Sequence, residues 1–309
     1  MTALILRRLA QLPLILVTVY VVSAFLLWAK PGDPLSTGPK PPSPAARKAM
    51  ELRYGMDKPA WVRFGLIYPR QLVVEGTLPS FQYMDWTVPE IIAMSFPVSF
   101  QLGLFSLILA LLGGTGAGMV SAIRRNTWLD HLSLGIALIG ISLPVFVIAE
   151  VGLMVLSVWW GVLPVGGWGR PSQLILPGVT LSLPFMAYMA RLMRAAMLDV
   201  LDSDFIRTAK AKGLSGRVVV LKHAFKNSFL PILSFLGPAA AGIFTGSFVV
   251  EKIFNIPGLG THFVNSVLNG DQTLALGVVL LYSTMLVVFN LLVDIGYAAV
   301  DPRIRVGEG

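Results

Sequence analysis

Three histidines, sixteen acidic residues and no cysteine bound the chemistry open to this 309-residue chain. His131, His223 and His262 are followed by Leu, Ala and Phe, so no His-Glu-x-x-His metalloprotease helix is present, and the three are too scattered for a metal site at sequence level. Without cysteine there are no disulfides, zinc–thiolate sites, iron–sulfur clusters or cysteine nucleophiles. The richest glycine run, Gly113-Gly-Thr-Gly-Ala-Gly118, lacks the lysine of a phosphate-cradling loop, and no Gly-x-Ser-x-Gly elbow occurs. No catalytic residue, metal ligand or cofactor site is expected, and the isolated chain is expected neither to bind nor to hydrolyse ATP.

Polar residues inside long apolar runs are more informative, because charge in hydrocarbon is expensive and marks pathways or partners. Glu150 and Ser157 are seven apart, which places them on one helical face. Ser283, Asn290, Asp294, Tyr297 and Asp301 form a second stripe at helical spacing. Glu150, Ser157, Ser283 and Asn290 are candidate pathway residues, although a locally paired structural Glu150 is an equal reading. Asp294 and Asp301 read better as structural anchors to the cytoplasmic loop than as pathway residues. The pairs Gly114/Gly118 and Gly242/Gly246 have the small-x3-small spacing that lets helices approach closely.

The elements that must carry these residues follow from composition. Apolar residues make up 55% of the chain and charged ones only 13%, with mean hydropathy +0.74. A soluble domain carries roughly 25% charged residues. The chain is therefore an all-α polytopic membrane protein, with apolar runs too long and continuous for barrel strands. Six spans are expected, at about 9–29, 98–123, 132–160, 174–191, 229–250 and 273–299. Lys30-Pro-Gly-Asp33 follows the first run in place of small cleavage-site residues, which makes that run a retained anchor.

Placing the N-terminus inside puts fourteen Lys and Arg residues in inner segments and leaves only Arg170 and Lys252 in the short outer connections. Both termini are expected in the cytoplasm, and the +8 net charge needs no nucleic acid to explain it. The expected divisions are an anchor over 1–30, an extended extracytoplasmic segment over 31–95, a core over 96–301 and a tail over 302–309. In the outer segment Pro39, Pro41, Pro42 and Pro44 make an extended stretch. Ser43-Pro44 caps a short helix closing near Gly55, and a second helix covers Trp61–Val74. Thr87-Val-Pro-Glu90 is a capping box opening a short amphipathic run, Ile91–Phe96. These helices either rest on the membrane interface or form a platform for a partner.

The inner loop over 198–231 is the most distinctive segment. Asp202 and Asp204 begin a helix, Lys210 and Lys212 end it, and Gly213 follows as a left-handed cap. A second basic helix runs over Arg217–Phe229 before Pro231. Such a hairpin is either a basic loop obeying the topology rule or a peg for a groove on a cytoplasmic protein.

Phe205-Ile-Arg-Thr-Ala-Lys-Ala-Lys-Gly213, Lys222-His-Ala-Phe-Lys-Asn227 and Leu230-Pro231 resemble the cytoplasmic loop of binding-protein-dependent ABC importer permeases. The general loop, Glu-Ala-Ala-x3-Gly-x9-Ile-x-Leu-Pro, is matched at Ala209 and Gly213 but lacks its leading Glu and its tail, as in the dipeptide/oligopeptide branch. Arg7-Arg8, Pro31-Gly-Asp33, Thr245-Gly-Ser247, Ile256-Pro-Gly-Leu-Gly260 and Asp301-Pro-Arg-Ile-Arg305 match that branch as well. Pro79-Ser-Phe-Gln-Tyr-Met-Asp85 and Ser95-Phe-Pro-Val-Ser99 resemble its oligopeptide B-type subunits.

The resemblance implies a six-helix type I ABC importer transmembrane domain in a bacterial cytoplasmic membrane. It implies a homologous second permease, two cytoplasmic ATPases holding ATP and magnesium, and an extracytoplasmic peptide-binding protein as partners. Asp204, Arg207, Thr208, Ala209, Ala211, Lys212, Gly213 and His223 are the implied coupling residues. Dipeptides, nickel chelates, glutathione or antibiotic peptides are alternative cargoes. Rival classes are a gradient-driven carrier using Glu150 or Asp294, disfavoured by the lack of an internal repeat, and a membrane scaffold.

Overall fold

In the computed structural model the described residues are 2–33, 35 and 43–300, with side chains described within 10–296. The prolines at 39–42, the Tyr297 side chain, Asp301 and the tail over 302–309 lie outside them. The first helix, α1 (Thr2–Ala29), is followed by α2 (Pro44–Arg53) and by a helical stretch over 60–75, here α3. As expected, Ser43 caps α2 by accepting from the Ala46 N–H at 3.3 Å, and Gly55 closes the turn after it at φ +63°. α3 is wound partly as wide π turns, over Arg63–Ile67 and Arg70–Glu75.

The capping box at Thr87 and Glu90 forms, but it opens a 36-residue helix rather than a short surface one. This α4 (Val88–Ile123) runs through Pro97, so the expected boundary at 95–96 falls inside a single element. Nothing ends the helix at Pro97, because its apolar sequence continues on both sides and only one internal hydrogen bond is forgone.

The third expected span is not continuous. It consists of α5 (Trp128–Ser142) and α6 (Val145–Gly152, continued as π turns over Leu153–Trp159), bent by 110°. The cause is local. Pro144 forces its predecessor out of the helical region, and Leu143 is extended at φ −89°, ψ 133°.

The chain then enters α7 (Pro171–Leu201), α8 (Asp204–Ala211), a helical stretch over 216–228 (α9), α10 (Leu230–Ile253), α11 (Leu259–Asn269) and α12 (Gln272–Val300). Five helices among the described residues are long and apolar enough to cross a bilayer, or six if the bent pair counts as one span.

The tightest packing joins α4 to α7. A Cβ on Gly114 would lie 2.7 Å from the Met186 carbonyl oxygen and from the Met189 Cβ, and one on Gly118 would lie 2.7 Å from the Met193 Cβ. Only glycine permits that approach, as the spacing suggested. The second pair conforms in part. Gly242 is crowded by the Phe185 ring at 2.7 Å, whereas Gly246 has an ordinary 3.9 Å neighbour. Met189, Met193 and Met197 on α7 are fully buried and continue into a core with Ile206, Val219, Ala224 and Ile232.

Candidate functional site

The end of the bundle that carries the hairpin over 198–231 is organised around Asp130, in the first turn of α5. Its carboxylate receives a two-pronged bond from Arg194 of α7, Nε to Oδ1 at 2.7 Å and Nη2 to Oδ2 at 2.8 Å. Ser121 of α4 donates to it at 2.5 Å and the Asn126 N–H at 2.9 Å. One buried acid thus fixes α4, α5 and α7 beneath the loop that carries the candidate coupling residues. Bidentate pairing with every remaining lone pair occupied is the arrangement that makes a buried ion pair tolerable.

That loop is the helical hairpin α8–α9. Ser203 precedes α8, and Asp202 instead terminates α7, so only Asp204 contributes charge to the first turn of α8. Ile206 and Ala209 are buried beside Val219 and Ala224 of α9, while the Ser228 hydroxyl donates to the Ala196 carbonyl of α7 at 3.2 Å. At the turn the Gly213 N–H donates to Lys210 O (3.0 Å) and the Leu214 N–H to Ala209 O (3.4 Å), with Gly213 at φ +77°. This is a Schellman stop, and it sets the direction in which α9 departs.

Asp204, Arg207, Thr208, Ala211, Lys212 and Gly213 are exposed. Ala209 is not, and its place in the interior makes it a spacer inside the hairpin rather than a contact; His223 is half-buried. Arg207 reaches Asp204 at 3.4 Å, both almost fully exposed, so the pair adds little stability. The sequence reading missed the exposed apolar residues Phe205, Leu214, Val218 and Leu221. A signal was available: on helices this short, a second apolar residue next to a core position such as Ile206 must face outward.

The candidate pathway residues are not brought together. Ser157 is buried, donating to the Pro164 carbonyl at 3.2 Å, whereas Glu150 is exposed. The seven-residue spacing fails because the intervening π turns carry more residues per turn and rotate Ser157 off the Glu150 face. Ser283 donates back to the Val279 carbonyl at 2.8 Å. Asn290 packs where Gly237 of α10 comes close; a Cβ there would lie 2.6 Å from the Asn290 Oδ1. Asp294 is half-buried on the same helix. No group of His, Cys, Asp or Glu among the described residues has metal-site geometry.

The opposite end is locked by two acids that sequence reasoning did not single out. Asp271 precedes α12 and caps it through the Leu274 N–H at 3.0 Å, with Thr273 donating at 3.0 Å. Its other oxygen accepts from the Ser80 hydroxyl (2.5 Å) and the Gln82 N–H (2.9 Å), so the 79–85 motif is stapled to the last helix. Tyr54 stacks on Phe81 at 4.0 Å and donates to Ser80 O at 2.8 Å, closing α2 over the same motif. Glu251, fully buried in α10, accepts from the Gly260 N–H at 2.7 Å, and Ser99 of α4 accepts from Leu259 N at 2.8 Å. These bonds explain the Ile256–Gly260 turn. The signal for Asp271 was Asn-Gly-Asp between two apolar helices, a stop followed by a cap. His262 of α11 lies edge-on to Tyr83 (5.3 Å), and burial pushes its imidazole below the usual histidine range. Burial likewise raises the Tyr54, Tyr68 and Tyr83 phenols.

Comparisons with known proteins agree with this arrangement. Residues 114–306 match the family described as "Binding-protein-dependent transport system inner membrane component". The chain is 39% identical over 301 residues to the oligopeptide transport system permease protein OppB of Haemophilus influenzae, covering 97% of each. It is 40% identical over 303 residues to OppB of Escherichia coli K12, covering 97% of this chain and 98% of that one. It is also 40% identical over 301 residues to the dipeptide transport system permease protein DppB of Lactococcus lactis, with the same coverage. Among solved structures, a chain of the inward-facing MetNI methionine ABC transporter superimposes with TM-score 0.57 at 15% identity. That match covers 68% of this chain and 96% of the other, and it identifies the fold as that of a type I ABC importer permease.

Proposed function

We propose, from the premise that this chain belongs to the family of binding-protein-dependent transport inner membrane components, that it is the permease subunit of an ATP-driven oligopeptide importer. It is a multi-pass membrane protein that forms half of a translocation path with a homologous permease. Two cytoplasmic ATPases supply the energy, and an extracytoplasmic peptide-binding protein delivers cargo. Both termini face the cytoplasm of a bacterial cell, which accords with the fourteen-to-two distribution of basic residues.

The observation that carries the reading is the hairpin over 198–231. One face is built into the α7 core; the other presents Phe205, Leu214, Val218 and Leu221 among Arg207, Lys212 and Lys222 in water. An apolar patch with a charged rim, held at a fixed angle by the Gly213 turn, has the anatomy of a protein interface. ATP-driven closure of the ATPases pulls on this peg, and the rigid α4–α7 pair transmits the motion. Asp204, Arg207, Thr208, Ala211 and Lys212 are its rim contacts. Of the pathway candidates, Glu150 keeps its role, because its carboxylate is exposed on the bent third span and bare lipid would cost it about 2.5 kcal/mol or more. Glu150→Gln is expected to leave insertion intact and alter transport modestly.

The oligopeptide cargo is supported by the names of the OppB relatives and by the structured 79–85 motif. Uptake of labelled peptides of increasing length into a strain lacking the gene tests it. Uptake restricted to dipeptides would reassign the cargo. Purification without co-eluting ATPases would remove the importer reading.

A further inference from the structure

At the end of the molecule opposite the hairpin, α4 overreaches its partner. Gly178 of α7 packs against Phe105 of α4, and the start of α7 lies level with Gln101. The thirteen residues of α4 before Gln101 therefore rise about 20 Å beyond that point. In the step sits a cavity of about 310 Å³ lined by Gln101, Trp168, Gly169, Arg170, Pro171 and Leu174.

Its walls are fixed. The Gly167 N–H donates to the Phe254 carbonyl at 2.8 Å, Gln173 Nε2 donates to Gly166 O at 2.9 Å, and the Arg170 N–H donates to Gln173 Oε1 at 2.9 Å. Its polar side chains are uncommitted. Among the described residues no carboxylate lies within 4.0 Å of the Arg170 guanidinium, and the Gln101 amide makes no hydrogen bond. Gln101 shares its helix face with exposed Met94, Leu104, Ile108 and Leu112. An amide in that stripe is unsatisfied against hydrocarbon and satisfied only by water or a polar ligand.

We infer that this cavity receives the carboxylate end of the peptide, with Arg170 pairing the terminal carboxylate, Gln101 bonding the last peptide group and Trp168 walling the terminal side chain. The inference rests on the oligopeptide reading and goes further, naming which end of the peptide this subunit reads. A guanidinium beside a helix start suits a carboxylate, and an amide beside it suits the adjoining peptide bond. A lipid phosphate at Arg170 is the competing source of negative charge and leaves Gln101 unused.

The test uses the assembled importer in proteoliposomes, with the binding protein saturated by one peptide in two forms, free acid and C-terminal carboxamide. The wild type is expected to import the acid about tenfold faster than the carboxamide. Arg170→Gln is expected to lose that preference by slowing the acid alone, and Arg170→Lys to retain part of it. Gln101→Leu slows both forms. An acid-to-carboxamide ratio equal in the wild type and Arg170→Gln overturns the inference, whether the variant is fully active or slows both forms alike, as a lipid-binding or purely structural arginine would. Absence of uptake of either form by the wild type overturns the oligopeptide reading itself, and with it this inference.

Discussion

Two buried aspartates, one at each end of the helical bundle, solve the same problem differently. Asp271 is wholly buried, and the four hydrogen bonds to its carboxylate come from hydroxyls and backbone N–H groups. Asp130 is as deeply buried but is paired with Arg194, whose side chain is 22% exposed. Neutral donors fixed by the backbone make a static staple, because each has one direction and one place to be. A guanidinium that still touches water makes a joint close to the surface, beside a hairpin that leaves most of its charges exposed. The Asp271 end is thus closed by fixed neutral donors, while the Asp130 end keeps a charged group at the edge of the bundle beside the exposed hairpin.

The largest effect is expected at the joint. Asp130→Ala leaves Arg194 without its partner and should cost about 3–5 kcal/mol, read as a lowered melting temperature in detergent and reduced membrane levels. Replacing both residues with apolar ones should cost less than the single change. If the double variant is the worse of the two, the distinction between joint and staple is lost.

Asp271→Ala orphans the Ser80 hydroxyl and the Gln82 N–H and removes a helix cap, at about 2–4 kcal/mol. The loss should be confined to the segment over 43–87 and the start of α12: proteolysis there accelerates while the proposed ATPase recruitment by the hairpin is unchanged. Asp271→Asn, which can still cap, should fall between.

Gly213→Val forces a β-branched residue to φ +77°, costing about 1–3 kcal/mol locally. A Cβ at Gly213 meets nothing within 4 Å, so the penalty is conformational and Gly213→Asn should be milder. The valine variant should insert normally yet co-purify poorly with its ATPases or uncouple hydrolysis from uptake. Normal uptake with normal stimulation by loaded binding protein would show that the turn angle is not transmitted.

A smaller effect belongs to pH at the Asp271 end. Burial holds the His262 imidazole below the ordinary value of 6.5 and so favours its neutral form. Its contribution is therefore present above about pH 6.5 and is lost as the medium becomes more acid. Amide protection in 79–85 and 259–269, measured relative to the intrinsic exchange rate at each pH, should be lower at pH 5.5 than at 7.5, and His262→Phe should flatten the difference. The smallest stability change is expected for Arg207→Ala, about 0.5 kcal/mol or less for so exposed a pair, together with a measurable fall in ATPase co-purification. Stability and recruitment moving together there would make the hairpin ordinary surface.

The sequence alone determined what depends on neighbours along the chain. Hydropathy runs located the apolar helices, because a bilayer demands continuous length. The caps at Ser43 and Thr87 and the Gly213 stop were readable, since each is a bond spanning only a few residues. The α4–α7 approach was signalled by two glycines on one face, and the hairpin over 198–231 by its helix–glycine–helix pattern. Tertiary structure alone decided the rest. Ser80 and Asp271 are 191 residues apart, and Asp130 and Arg194 are 64 apart. No local pattern distinguishes a buried aspartate awaiting such a partner from one on the surface. Counting residues also could not foresee that π turns rotate Ser157 away from Glu150, or that Ala209 turns inward while Phe205 turns out. Those outcomes depend on helix phase and on which face finds a neighbour, and both are set only when the helices pack.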